Sequence, residues 1–376
     1  MEDKVKVLYF VDRMLRGGIQ TFVIENMKHM DKNKIQVDYL LLDDGNKYEL
    51  EDTLIEMGSK IFKLKGIWFR QPFDFIKYCI ALNKFFKKHN DYKVVHLHSS
   101  SKNFMVLYYA KKYGIKVRIA HSHNIGFQSK NKMQILLGNI FKVPLKKYAT
   151  DYFACSEIAG EWLFGKKNVK SGKVIIIHNA VDLDKFKFNN EKREKLRKEL
   201  NIEDTDLVIG NVARFTNQKN HEFLIDIFNE IYKKNNSSKL LLIGTGEKEI
   251  YIKEKVNELG LTNDVIFLGF KTNVNDYMNV MDIFLFPSKY EGLGLVLIEA
   301  QANGIKCFTS QNVVPLEAKV SDLLEYISLN ETSKNWANKV LSVNKNRKNV
   351  KEKIIEKGYS IEYTAKKLEQ FYFNCE

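Results

Sequence analysis

Ile283-Phe284-Leu285-Phe286-Pro287-Ser288-Lys289-Tyr290-Glu291-Gly292-Leu293-Gly294-Leu295-Val296-Leu297-Ile298-Glu299-Ala300 reads as a strand, a turn and a helix in succession. The apolar run Ile283–Phe286 is the strand, and Pro287, which has no N–H to donate, ends it. The apolar run after Gly294 starts the helix. Glu291 then falls in the strand-to-helix loop and Glu299 about a turn into the helix. Between them Gly292, Leu293, Gly294, Leu295 and Val296 present backbone N–H groups at a helix N-terminus, a setting that favours an anion. Two acids can hold sugar hydroxyls while the amides hold a diphosphate. The pattern suits a site for a nucleotide-activated sugar.

The same strand-then-helix rhythm runs along the whole chain. In the first half strands are expected at Val5–Val11, Val37–Leu42, Val94–His98, Val117–His121, Tyr152–Ser156 and Val174–His178. In the second half they are expected at Leu207–Ala213, Leu240–Gly244, Val265–Leu268, Ile283–Phe286 and Lys306–Thr309. Short β-branched runs alternating with helical segments predict parallel sheets with helices on both faces. The fold class is therefore α/β, with two doubly wound Rossmann-like domains facing a cleft. Residues 1–181 form the first domain and 182–360 the second. The charged stretch Asp182–Asp204 marks the boundary and carries a solvated helix, Glu191–Leu200. The amphipathic segment Ile361–Phe373 makes residues 361–376 a C-terminal helix packing back towards the first domain.

Composition limits the function. The chain has 376 residues, 44% hydrophobic and 28% charged, which describes a globular protein rather than a disordered one. No apolar run approaches the roughly 18 residues of a membrane span. The charged start, Met-Glu-Asp-Lys, lacks the apolar core of a signal peptide, so a cytoplasmic location is expected. Cys79, Cys155, Cys307 and Cys375 are far apart and make neither a disulfide scaffold nor a zinc spacing. The net charge of +14 is lopsided. Residues 1–181 carry 31 Lys and Arg against 17 Asp and Glu, while 182–376 carry 29 of each. General lysine enrichment would not leave the second half neutral. A basic first half implies an anionic partner. Its basic residues are interleaved with aromatics at Ile67–Phe73, at Phe75–Lys88 and along Ile135–Lys147, as suits the inner face of a cell membrane.

Other candidate residues follow strands, where α/β sites collect. Gly17-Gly18 comes after the first strand but lacks the G-x-G-x-x-G of a dinucleotide site. His121 and His123 fall at a strand end in Arg118-Ile119-Ala120-His121-Ser122-His123-Asn124. Their spacing suits metal, but no carboxylate follows closely, and hydrogen bonding in a cleft is the expected role. Arg214 and Lys219 share one post-strand loop and offer two cations to a diphosphate, one a planar fork and one a point charge. Gly244-Thr245-Gly246 closes a further strand. Asp182-Leu183-Asp184 and Asp204-Thr205-Asp206 match the Asp-x-Asp of metal-dependent sugar transferases, but such tripeptides are frequent by chance, and no metal is expected.

Taken together these motifs resemble family-4 glycosyltransferases of the GT-B fold, of the bacterial exopolysaccharide and capsule type. The resemblance runs nearly the full length: Gly17-Gly18, Arg118–Asn124, His178–Asp182, Ala213–His221, Leu242–Gly246 and the Glu291–Glu299 pair stand in family order. It implies that the first domain binds the acceptor and the second the nucleotide sugar. It implies that Glu299 holds the ribose hydroxyls and Glu291 those of the donor sugar. Arg214 and Lys219, with the amides near Gly294 and Leu295, meet the diphosphate, and Gly18 approaches it from the opposite side. His123 is implied to contact the donor sugar, with His121 beside it. Two departures stand out: Lys219-Asn220 where the family often has Lys-Gly, and Asn179-Ala180 where it often has Asn-Gly.

The expected activity is a retaining, metal-independent transfer from a nucleotide diphosphate sugar, with UDP as the nucleotide, to a hydroxyl of a lipid-linked or saccharide acceptor. No cofactor is expected beyond the donor itself. The expected partners are that donor, that acceptor and an anionic membrane surface, placing the protein at the inner face of the membrane. A sugar-nucleotide epimerase of the same fold is an alternative. A nucleic-acid-binding protein, suggested by the isoelectric point near 9.2, has no zinc-finger or RNA-recognition signature behind it.

Overall fold

The computed structural model describes residues 4–15, 17–65, 72–127 and 131–375. The basic aromatic stretch read at Ile67–Phe73 lies largely outside them. Contacts divide the chain into two units, one of residues 1–180 with 361–376 and one of 181–360.

The first unit is built on a parallel sheet of seven strands: β1 (Val5–Val11), β2 (Ile35–Asp43), β3 (Ile61–Lys65), β4 (Val94–His98), β5 (Val117–Ser122), β6 (Asp151–Ala154) and β7 (Val174–Ile176). Their order is β3-β2-β1-β4-β5-β6-β7. The second unit holds β8 (Leu207–Val212), β9 (Ser238–Ile243), β10 (Val265–Gly269), β11 (Ile283–Phe286), β12 (Lys306–Ser310) and β13 (Leu324–Ile327), in the order β10-β9-β8-β11-β12-β13. Both are doubly wound Rossmann-like sheets. In each, the order reverses between the first and fourth strands, and ligands bind outside the carboxyl ends at such a switch point.

The central strands are apolar at nearly every position because helices cover both faces. On β1, Val7, Tyr9 and Val11 belong to the core on one side and Leu8 and Phe10 to the core on the other. On β8, Leu207 and Ile209 face one way and Val208 the other. Burial on both faces removes the two-residue alternation of a half-solvated strand.

Three differences from the sequence reading have physical causes. First, β3 and β13 are absent from it. Both are edge strands, and their sequences, Ile-Phe-Lys-Leu-Lys and Leu-Glu-Tyr-Ile, carry the charges that edges tolerate. Second, the strand read as Tyr152–Ser156 stops at Ala154. The hydroxyl of Ser156 instead accepts from the Ala159 N–H and caps the helix Glu157–Phe164. Third, the charged boundary helix spans Asn190–Glu199 but is not wholly solvated. Arg197 is only 2% exposed, and its guanidinium donates to Asp282 Oδ2 at 2.8 Å and to the Glu203 carbonyl at 2.9 Å.

The C-terminal helix Ile361–Asn374 belongs to the first unit. It buries Ala365, Leu368 and Tyr372 in that unit's core, and the Thr364 hydroxyl donates to Asn26 Oδ1 at 2.9 Å.

Candidate functional site

In the second unit the loops leaving β8 and β11, neighbours at the switch point, converge. The β8 loop carries Arg214 and a short helical turn, Asn217–Lys219, and ends at Asn220 in the left-handed region with φ of 57°. Asparagine is among the few residues that take this conformation readily, which explains how it stands where glycine is common in the family. Its side chain also donates to the Pro287 carbonyl at 3.0 Å, tying the two loops together. A second tie runs from Gln218, whose amide donates to the Tyr290 carbonyl at 2.8 Å.

Held by these ties, Lys219 donates to Glu291 Oε1 at 2.6 Å. The Ser288 hydroxyl donates to the same oxygen, also at 2.6 Å. Lys219 further sits 4.9 Å above the ring of Phe286. Glu291 is only 7% exposed, so these donors stand where water would otherwise meet its carboxyl group. Arg214 is exposed and has no ion pair among the described residues. Beyond Glu291 the chain turns at Gly294, whose φ of 78° excludes most other residues, and enters the helix Leu295–Ala302. The Leu297 N–H bonds the Gly294 carbonyl at 2.8 Å, while helix geometry leaves the amides of Leu295 and Val296 without intrahelical acceptors. Glu299 lies partly buried on this helix. Burial pushes its carboxyl up to about 7, against the opposing pull of Lys185. Gly292 is open to solvent, and Leu293 packs on the core. Gly244 serves the backbone: a Cβ there would lie 2.0 Å from the Ala213 carbonyl oxygen, so glycine lets the β9 loop close on the start of the Arg214 loop.

The first unit contains a cavity of about 850 Å³ at its own switch point. Gly17, Gly18, Asp12, Ser99, His98 and His123 are among its lining residues. Gly18 is exposed, with nothing within 4 Å of where a Cβ would stand, so its contribution is open space. Asp12 Oδ1 accepts from the Ser99 hydroxyl and the Asn103 amide, both at 2.6 Å. The far wall is aromatic. Lys142 lies 4.3 Å over the Trp162 ring and donates to the Trp162 carbonyl at 2.8 Å. Phe127 meets Trp162 edge-on, and Gly138 makes room for it, since a Cβ would come within 2.4 Å of the Phe127 ring.

His121 does not line this cavity. It is 1% exposed and belongs to a layer of four imidazoles, of which His98 and His123 line the cavity. His96 and His98 come from β4, and His121 and His123 from the end of β5 and just beyond it. His96 Nε2 lies 3.1 Å from His121 Nδ1, and His98 Nδ1 lies 3.0 Å from His123 Nε2. The rings stack at 4.0 Å within each strand. Burial lowers the basicity of all four, that of His123 to about 3, so they are neutral. Ring nitrogens of His96, His98 and His121 lie within 4.8 Å of one another, a spacing a metal ion can span. Both nitrogens of His96 are already hydrogen-bonded, however, and the arrangement is that of a hydrogen-bonded layer.

Residues 16–185 match the family described as Glycosyltransferase Family 4, and residues 192–361 match Glycosyl transferases group 1. A putative glycosyltransferase of Bacillus subtilis, EpsF, is 31% identical over 94% of this chain and 92% of its own length. The chain belongs to the family-4 glycosyltransferases. An Escherichia coli relative named as a UDP-Gal:α-D-GlcNAc-diphosphoundecaprenol α-1,3-galactosyltransferase is 23% identical, over 82% of this chain and 79% of that one. The solved structure of Anabaena HepE with UDP and glucose shares the fold at a TM-score of 0.68 and 18% identity, covering 98% of this chain and 95% of that one. The two sheets are thus those of a GT-B glycosyltransferase.

Several residues of this glycosyltransferase escape the sequence reading. Ser288 and Gln218 position Glu291 and its loop, and nothing in their spacing announces it. His96 and His98 did carry a signal. Val94-Val95-His96-Leu97-His98 repeats the strand-end His-x-His of Ala120-His121-Ser122-His123, and residues two apart on a strand share a face. Tyr372 had none, because its partners lie hundreds of residues away in sequence.

Proposed function

We propose that this glycosyltransferase moves a sugar from a UDP-sugar to a hydroxyl of a lipid-linked or saccharide acceptor in surface polysaccharide synthesis, with retention of configuration and without a metal ion. The observation that carries the reading is the Lys219–Glu291–Ser288 cluster, in which Lys219 of the β8 loop meets the β11 loop that leads into the free amides of Leu295 and Val296. Glu291 takes the hydroxyls of the donor sugar and Glu299 those of the ribose. Arg214, Lys219 and the two amides take the diphosphate. As the bond from sugar carbon to phosphate oxygen breaks, negative charge grows on the phosphate, and fixed cations and N–H groups stabilise it. The acceptor oxygen attacks from the same face, and its proton passes to the departing phosphate oxygen. HepE holds UDP and glucose, and the E. coli relative is named for a UDP-sugar donor and a diphosphoundecaprenol-linked acceptor, which supports UDP and a lipid diphosphate acceptor here.

The acceptor is assigned to the cavity of the first unit. One of its walls is the helix Lys132–Tyr148, through Gln134, Leu137, Gly138 and Phe141. The neighbouring face of that helix exposes Met133, Leu136, Ile140 and Val143, a stripe at helical spacing. The helix has no acidic residue, and Lys132, Lys146 and Lys147 flank the stripe. These features fit the surface of an anionic membrane, where the lipid tail of an acceptor seated in the cavity would lie.

The test is a panel of sugar nucleotides by thermal shift, followed by transfer to a lipid-diphosphate saccharide with and without chelator. A donor at 100 times its dissociation constant stabilises by about 2.7 kcal/mol. The expected result is one preferred UDP-sugar and a chelator-insensitive product of unchanged anomeric configuration. Loss of transfer in chelator, inversion, or an epimer formed without acceptor overturns the reading.

A further inference from the structure

The C-terminal helix reaches the imidazole layer through one side chain. The hydroxyl of Tyr372, fully buried, lies 2.7 Å from His96 Nδ1 and 2.8 Å from the hydroxyl of Tyr9. His96 Nε2 in turn meets His121 Nδ1 at 3.1 Å, and His121 Nε2 is buried without a partner. Tyr9, Tyr372, His96 and His121 therefore form one continuous line of hydrogen bonds.

A neutral imidazole carries a single N–H, so each contact in the line has one proton and only two orders are consistent. In the first, Tyr9 donates to Tyr372, Tyr372 donates to His96 Nδ1, and His96 Nε2–H donates to His121 Nδ1. His121 then carries its proton on Nε2, and that N–H is the one donor left bare. In the second, His121 Nδ1–H donates to His96 Nε2, His96 Nδ1–H donates to Tyr372, and Tyr372 donates to Tyr9. This order strands the Tyr9 O–H and the lone pair on His121 Nε2, whereas the first strands the His121 Nε2–H and the lone pairs of the Tyr9 oxygen. Each order leaves one donor and one acceptor unmet, but the first keeps the stronger donor, the phenol O–H, and the stronger acceptor, the imidazole nitrogen, in use, so the first order is preferred.

We propose that Tyr372 is a positioning residue: it fixes the Nε2–H tautomer of His96 and, through it, that of His121, in the layer on which the cavity-lining His123 is stacked. The His98–His123 pair stands on its own hydrogen bond and shares one proton, so its two remaining nitrogens, His98 Nε2 and His123 Nδ1, both buried without a partner, are always one donor and one acceptor. A fixed dipole on His121, stacked at 4.0 Å on His123, biases which of the two is the donor. The C-terminal helix thereby helps set the tautomers of the two histidines that line the cavity, His98 and His123. This consequence for turnover rests on the proposed transfer, whereas the tautomer assignment does not.

The test is histidine-selective 15N labelling of the full chain, with tautomers read from the 15N–1H coupling pattern. In the wild-type protein His96 and His121 should each show Nε2–H alone. Tyr372→Phe should give both tautomers at both residues. Tyr9→Phe, which leaves the Tyr372 donor in place, should change neither. An Nδ1–H form of His96 in the wild-type protein overturns the proposal even if Tyr372→Phe does not fold. So does an unchanged pattern in Tyr372→Phe, or an equal disturbance by both variants, which would mean packing alone. In transfer assays Tyr372→Phe should lower kcat severalfold at unchanged donor KM and Tyr9→Phe should not; an equal fall in both overturns the positioning role. Absence of transfer in the wild-type protein would refute the proposed function and leave the tautomer result standing.

Discussion

Lys219 and Glu291 are each other's ion-pair partner, joined at 2.6 Å, although the sequence assigned one to a diphosphate and the other to a sugar. The cation is 16% exposed and the acid 7%, so the pair is partly desolvated and neither charge is cheaply left alone. Lys219→Ala should destabilise the second unit and slow transfer, the rate loss being about 10²–10³ if it stabilises the leaving phosphate. Glu291→Gln should keep the Ser288 contact and lose less stability. Chemical denaturation and turnover on the two single variants and the double check this. A double variant no worse than Lys219→Ala would show that the two act as a unit.

Glu299 gives donor binding a pH dependence. Its carboxyl titrates near 7, and a ribose held by an ionised acid requires the proton to leave. UDP-sugar affinity should therefore weaken as pH falls from 8 to 6, with proton uptake by buffer visible in calorimetry. Glu299→Gln should abolish that slope. For stability the sign is opposite. A raised carboxyl pKa means the folded state binds more protons than the unfolded one, so this group's contribution declines as pH rises from about 4.5 to about 7.

The buried imidazoles act the other way. Burial lowers the pKa of His96, His98, His121 and His123, so their contribution to stability is complete above pH 6.5 and is lost as pH falls below it. His221, brought down to about 4 by burial and stacked on Phe215 at 4.2 Å, adds the same dependence in the second unit. Urea titrations at pH 7, 6 and 5 should show a steep fall. Replacing His121 with Gln should reduce the slope by up to about 1.4 kcal/mol per pH unit.

Gly294 and Asn220 hold the site loops in left-handed backbone, with φ of 78° and 57°. Gly294→Ala should cost about 1–2 kcal/mol and weaken donor binding by shifting the first-turn amides. Asn220→Gly should be close to neutral in backbone terms and lose only the bond to the Pro287 carbonyl. Thermal unfolding and donor affinity would separate the two.

The helix Lys132–Tyr148 should carry vesicle binding. Ile140→Glu with Val143→Glu places acids on its exposed stripe, where Val143 is 66% exposed. Sedimentation with anionic vesicles should drop sharply while donor binding is unchanged. Equal sedimentation of wild type and variant would remove this helix as the contact.

Most of the central strands were legible because burial on both faces leaves an uninterrupted apolar run, as in Ile283–Phe286 and Leu240–Ile243. The edge strands β3 and β13 were not, since an edge may carry lysine and glutamate without cost. The site residues that were legible sit where chemistry and local geometry coincide in a short segment: Glu291, Gly294 and Glu299 lie on one loop and one helix.

What the sequence settled by itself is what depends on neighbours along the chain: the strand–turn–helix units, the left-handed Gly294, and acids and cations placed after strands. Only the tertiary structure decided what depends on distant partners. It paired Lys219 with Glu291, set His121 behind the cavity rather than on it, and brought Tyr372 to His96 across 276 positions. The physical reason is range. Backbone preference and periodicity act over a few residues, whereas a buried hydrogen bond is satisfied by whichever group the fold delivers within 3 Å or so, and its sequence carries no mark of that appointment.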